Sequence, residues 1–113
     1  MKPSASTVQG RRYREAGVIE SHTSSNFRKC FAKLPPTKQM QARKNYRLWA
    51  ENPFNSTTNF ENKFGNLWSA EVGRTHRTLG RMVEDNVIIW FWIGTHEEYN
   101  KLLSQYRKLI GRQ

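Results

Sequence analysis

The stretch Val87-Ile88-Ile89-Trp90-Phe91-Trp92-Ile93-Gly94-Thr95-His96-Glu97-Glu98-Tyr99 contains two structural periods in succession. From Val87 to Ile93 every residue is β-branched or aromatic, types that fit a pleated, half-buried surface. Strand alternation puts Val87, Ile89, Phe91 and Ile93 on one face and Trp90 and Trp92 on the other. Both faces are apolar, so this stretch is expected to be a central strand covered on both sides. The period then changes abruptly. Thr95 and Glu98 have the spacing of a capping box, in which a hydroxyl and a carboxylate satisfy each other's backbone amides at a helix start. Tyr99, Leu102, Leu103, Tyr106, Leu109 and Ile110 follow at helical spacing, and Gly111 is a natural stop.

Toward the N-terminus, Asp85-Asn86 is a hairpin signal joining this strand to another over Arg77 to Val83. Leu67 to Val72 alternates, with Trp68, Ala70 and Val72 on one side and Ser69 and Glu71 on the other. Phe60 to Phe64 makes a short strand before a Gly65-Asn66 turn, and Asn55 to Asn59 is a polar loop. Before that loop the spacing is helical. Phe27, Cys30, Phe31 and Leu34 fall on one face of a helix capped by Ser24 or Ser25. Pro35-Pro36 ends it and opens a second helix that reaches about Glu51, with Ala42, Tyr46 and Trp49 as its apolar stripe. Val18-Ile19-Glu20-Ser21 reads as a first strand. The expected class is α+β: a helical hairpin packed on a three- to four-stranded antiparallel sheet, with a C-terminal helix. Residues 1–16, with Arg11, Arg12 and Arg14 and few apolar side chains, read as a basic extension. Residues 17–113 form one domain, since 113 residues supply a single core.

The net charge is +10, from 19 Lys and Arg against 9 Asp and Glu. An excess of that size attracts polyanions, with nucleic acid the first candidate partner and an acidic protein the second. The bland alternative is a protein that is merely basic. The single cysteine, Cys30, allows no internal disulfide, which fits the reducing cytoplasm. Its neighbours Lys29 and Phe31 in a helical pattern suit a small buried side chain. No run approaches the roughly 18 apolar residues of a membrane span, and no apolar signal segment opens the chain.

No phosphate-binding P-loop, glycine-rich dinucleotide fingerprint or nucleophile elbow is present. One cysteine and three scattered histidines, His22, His76 and His96, argue against a metal site, and no cofactor is expected. What remains is a basic sheet carrying His, Arg and Tyr, types that suit metal-independent RNA cleavage. In that reaction the 2′-hydroxyl attacks the adjacent phosphorus. A base takes its proton, an acid protonates the leaving 5′ oxygen, and cations hold the extra negative charge. His96 is the candidate acid or base, because imidazole exchanges protons near neutral pH. Its alternative is an ordinary surface histidine in a first helical turn. Arg77 is the candidate phosphate holder, since guanidinium stays charged and acts electrostatically. It lies in the dense set Arg74, His76, Arg77 and Arg81, which reads equally well as a solvated hairpin face. His76 alternates with Arg77, so only one of the two faces the site. Tyr99 either stacks on a base, binds phosphate or packs in the core, and Trp90 with Trp92 either forms a stacking wall or lies under the last helix.

From about Val18 to Leu103 the chain resembles the RelE/ParE toxin superfamily. The resemblance is carried by the hairpin from Phe27-Arg28-Lys29 through Leu34-Pro35 to Tyr46-Arg47-Leu48-Trp49, by Leu67-Trp68-Ser69-Ala70-Glu71-Val72-Gly73 with His76-Arg77-Thr78-Leu79, and by Trp92-Ile93-Gly94-Thr95-His96-Glu97-Glu98-Tyr99. The last is similar to the Gly-Ser/Thr-His ending of YafQ-like RNases. The resemblance implies a microbial-RNase-like fold, metal-free cleavage of mRNA on the ribosome, and neutralisation by a cognate acidic antitoxin. Arg77 matches the strand arginine of RelE, His96 the histidine of the YafQ-type motif, and Tyr99 the aromatic that follows. The paired lysines of RelE are replaced by the Trp68 and Ala70 region, which leaves Glu71 or His96 as the general base. Lys63, Arg74 and Arg81, with Trp92, remain to hold RNA. Two rival readings stay open: a gyrase poison of the ParE type without nuclease chemistry, and a non-catalytic basic RNA-binding module.

Overall fold

Pairing and burial in the computed structural model, which describes residues 19–111, place the apolar stretch inside a sheet. The elements are β1 (Glu20–Thr23), α1 (Ser25–Ala32), α2 (Pro36–Glu51), β2 (Glu61–Phe64), β3 (Leu67–Val72), β4 (His76–Glu84), β5 (Val87–Thr95) and α3 (His96–Gly111). The sheet order is β1-β5-β4-β3-β2. The class is α+β as expected, but the sheet has five strands and is mixed, because β1 pairs parallel to β5 with Glu20 opposite Val87. The sequence Glu-Ser-His-Thr has little intrinsic strand signal. Its position, two residues later than expected, is set by pairing with β5 rather than by its own side chains. The basic extension, residues 1–16, lies outside the described residues.

Local chemistry explains the helix starts. Ser24 caps α1, its Oγ accepting from the Phe27 amide at 3.1 Å. Pro36 opens α2, where a missing N–H costs nothing. The buried stripe of α2 is Ala42, Asn45 and Trp49. Tyr46, expected in that stripe, is exposed, and its hydroxyl shares a 2.7 Å hydrogen bond with Ser21 Oγ. Asn45 faces inward because its amide donates to the Glu71 carbonyl at 3.5 Å.

The alternation expected in β5 is interrupted. Leu79 pairs with Trp92 but Gly80 pairs with Trp90, so Phe91 is an extra residue in a bulge. The bulge shifts the phase by one. Ile88, Trp90 and Ile93 lie on the hairpin face, whereas Phe91 and Trp92 pack under α3. Trp90 and Trp92 therefore face opposite ways and form no common wall. Gly80 permits this crowding: a Cβ there would lie 2.7 Å from both Ile88 Cδ1 and Trp90 Cε3.

The sheet thus separates two cores. On the hairpin side Trp49 meets Phe60 and Trp90 edge-on, with centroids at 5.5 and 5.4 Å, and Leu34, Ala42, Val72 and Ile93 continue the layer. Phe27, Cys30 and Phe31 of α1 pack half-buried against it. On the other side α3 covers Leu67 and Leu79 with Tyr99 and Leu103. Among the described residues no helix is long and apolar enough to cross a membrane.

Candidate active site

The α3 face becomes polar at one end, and three local devices put it there. The first is strand pairing. Glu71 on β3 stands directly opposite Arg77 on β4, across a turn through Gly73 at φ +65°. Cross-strand neighbours lie close enough for their side chains to meet. Arg77 Nη2 reaches Glu71 Oε2 at 3.2 Å, with about a fifth of the arginine side chain and a third of the glutamate exposed.

The second device is the α3 start. Thr95 Oγ1 accepts from the Glu98 amide at 3.1 Å, and Glu98 Oε1 accepts from the Thr95 amide at 2.9 Å. This reciprocal pair is the expected capping box. The His96 amide donates to the Thr75 carbonyl at 2.9 Å, which ties the first residue of α3 to the β3–β4 turn. His96 and Tyr99, three apart on one helix face, stack with centroids at 5.9 Å and planes 22° apart.

The third device is a missing side chain. Gly94 is Arg77's partner on β5, so no side chain at that position stands between the guanidinium and α3. Arg77 Cζ lies 5.1 Å from the Tyr99 ring centroid, a cation–π contact. Tyr99 is therefore the common neighbour of His96 and Arg77. Its ring is only 3% exposed, so it works as a buried floor and not as a surface on which a base stacks.

Four sequence-derived candidates, Glu71, Arg77, His96 and Tyr99, are thereby brought together on one face. The others are dispersed. Arg74 is exposed in the adjoining turn. Lys63 is bound to Glu61 at 3.5 Å on edge strand β2. Arg81 lies over the Phe91 ring at 5.2 Å. It is four residues along β4 from Arg77, a strand distance on the order of 13 Å. Trp92 is half-buried in the α3 core and lies over Gly94, where a Cβ would meet its Cζ2 at 2.5 Å. His76 points to the opposite face, buried, with Nδ1 at 2.8 Å from Thr75 Oγ1. Burial holds its imidazole below the ordinary value, Lys38 pushes the same way, and Glu98 opposes them.

One residue of the cluster escaped the sequence reading. Asn59 Nδ2 donates to Glu71 Oε2 at 3.1 Å. Its signal was weak: an asparagine in a polar loop, a type that tolerates the left-handed conformation it adopts at φ +46°.

The cluster thus offers a fixed cation beside an anchored carboxylate, with an exposed imidazole against the same Tyr99 ring. That combination can hold an oxyanion and move protons on either side of it. Among the described residues, no group of three or more His, Cys, Asp or Glu is placed to hold a metal ion.

No family model matches the chain, and no curated protein matches it by sequence. Solved structures do match. YafQ from E. coli strain BL21(DE3) superposes with a TM-score of 0.56 at 15% identity, over 72% of this chain and 97% of that one. The isolated E. coli RelE toxin gives 0.54 at 14% identity, over 79% and 99%. The archaeal RelE-RelB complex from Pyrococcus horikoshii gives 0.53 at 14% identity, over 69% and 94%. With its hairpin on one sheet face and its last helix on the other, the chain has the fold of the RelE/ParE toxins.

Proposed function

We propose that this chain is the toxin of a type II toxin–antitoxin pair and cleaves mRNA on the ribosome without a metal. The observation that carries the reading is the contact of one Tyr99 ring with both His96 and Arg77, the latter paired to Glu71. In the proposed reaction the 2′-oxygen of the RNA bonds to the adjacent phosphorus, and its proton passes to the Glu71 carboxylate. The bond from phosphorus to the 5′ oxygen breaks. His96, entering protonated, gives that oxygen a proton. The products are a 2′,3′-cyclic phosphate and a 5′-hydroxyl, and Arg77 balances charge on the phosphorane. Tyr99 positions Arg77 and His96 and does not touch RNA. Arg74 lies nearest to guide the strand, with Lys63 and Arg81 contacting it further out, while Trp92 packs in the α3 core.

The partner would be an acidic antitoxin. RelB accompanies RelE in the Pyrococcus horikoshii complex, and the +10 charge here suits an acidic counterpart. Induced expression in bacteria lacking the antitoxin tests the reading. Wild type should arrest growth with loss of translation and fragmented mRNA, and Arg77→Ala and His96→Ala should not. Arrest with broken DNA and intact mRNA would instead support the gyrase-poison reading.

A further inference from the structure

The Glu71 carboxylate has two holders, and they differ in what RNA would do to them. Oε2 accepts from Arg77 Nη2 at 3.2 Å and from Asn59 Nδ2 at 3.1 Å. When a phosphate arrives, Arg77 must turn part of its donor set toward it. A carboxylate held only by Arg77 would then compete with the phosphate for the guanidinium and oppose it by charge. Asn59 is neutral, so an incoming anion does not recruit it in the same way.

The loop bearing Asn59 is built to keep that amide in place. Glu71's own amide donates to the Thr58 carbonyl at 2.7 Å, so one loop clamps both the backbone and the side chain of Glu71. Thr58 is 1% exposed, and its amide and hydroxyl both donate to the Asn55 carbonyl, at 3.3 and 3.2 Å. Asn59 is the only non-glycine with positive φ among the described residues. Asparagine adopts this left-handed conformation more readily than other non-glycine residues. Here it aims the amide at Oε2 and leaves Oε1 as the oxygen available to a substrate hydroxyl.

We propose that Asn59 is a positioning residue for RNA cleavage, holding the Glu71 carboxylate on β3 while Arg77 is engaged by phosphate. The inference rests on Glu71 acting as the base. The test uses the full chain and mRNA in programmed ribosome complexes, comparing Asn59→Gly, Asn59→Asp, Glu71→Gln and the double variant Asn59→Gly/Glu71→Gln. Glycine keeps the left-handed backbone and deletes only the amide. Asn59→Gly should lower kcat about ten-fold with KM within about two-fold, the scale of one hydrogen bond to a charged group. Asn59→Asp, which retains the shape but sets a second carboxylate against Glu71, should lose more. In the residual activity of Glu71→Gln, adding Asn59→Gly should change nothing further.

Unchanged kcat in both Asn59 variants overturns the inference. So does an equal loss in the wild-type and Glu71→Gln backgrounds, which would mark a purely structural loop residue. Wild-type activity in Glu71→Gln overturns the base assignment itself, and the Asn59 role falls with it. If Asn59→Gly fails to fold, Asn59→Asp decides the question by the same kcat comparison.

Discussion

The two faces of the sheet do different work with similar materials. On the hairpin face Trp49, Phe60 and Trp90 interlock edge to face, and two helices close the layer. On the other face a single helix covers Leu67 and Leu79, and the charged end at Glu71 and Arg77 is left partly open. A helix that begins where β5 ends must run back across the sheet, and its first turn comes to lie beside the β3–β4 turn through His96 and Thr75. The larger aromatic core thus lies on one face, and the candidate site lies at one end of the other. Substitutions should separate the two.

The largest effect belongs to the hairpin face. Trp90→Ala should cost about 3–5 kcal/mol of stability through the cavity it leaves, measured by urea unfolding. A loss under about 1 kcal/mol would mean that this face is not the main core. Next comes Arg77→Ala. It should lower cleavage about 100- to 1000-fold, the usual scale for losing a preorganised charge, with little change in melting temperature. A stability loss as large as that of Trp90→Ala would erase the distinction between the faces.

Smaller still is Thr95→Ala. Removing half of the capping box should cost about 1 kcal/mol by thermal melting. It should also reduce cleavage, because Thr95 sets the start from which His96 projects. An unchanged cleavage rate would separate the cap from the site.

The smallest effect concerns His76, on the hairpin face beside the site. Its folded-state value lies below the ordinary 6.5, so the native imidazole resists protonation. The unfolded chain takes up a proton near the ordinary value. Stability is therefore full above roughly pH 6.5, falls as the pH drops toward the lower folded value, and levels off beneath it. His76→Gln should flatten that slope in unfolding measured between about pH 7 and 5. An identical slope would assign the dependence to other groups.

The comparison also shows how far the sequence reaches. The order of the elements, a serine cap at Ser24 or Ser25, the Thr95 start and the inward set on β3 were all readable, because each depends on neighbours within a few residues. The bulge at Phe91 was not. One extra residue sends Trp92 to the α3 face while Trp90 stays on the hairpin face, and that slip depends on Gly80 across the sheet. The parallel strand β1 was placed by β5, not by its own polar residues. Asn45 replaced Tyr46 in the α2 stripe because a backbone acceptor on β3 awaited it. At the site, Glu71 and Arg77 face each other through a register that the β3–β4 turn sets. Asn59 arrives from a loop whose composition alone says only that it is polar.

The most direct test of the account is to map the ends of mRNA after incubating programmed ribosomes with the purified chain, Arg77→Ala and His96→Ala. The account predicts new 5′-hydroxyl ends facing 2′,3′-cyclic phosphates with wild type, and a loss of at least about 100-fold in each variant. Intact mRNA with wild type, or equal scission by all three proteins, would contradict it.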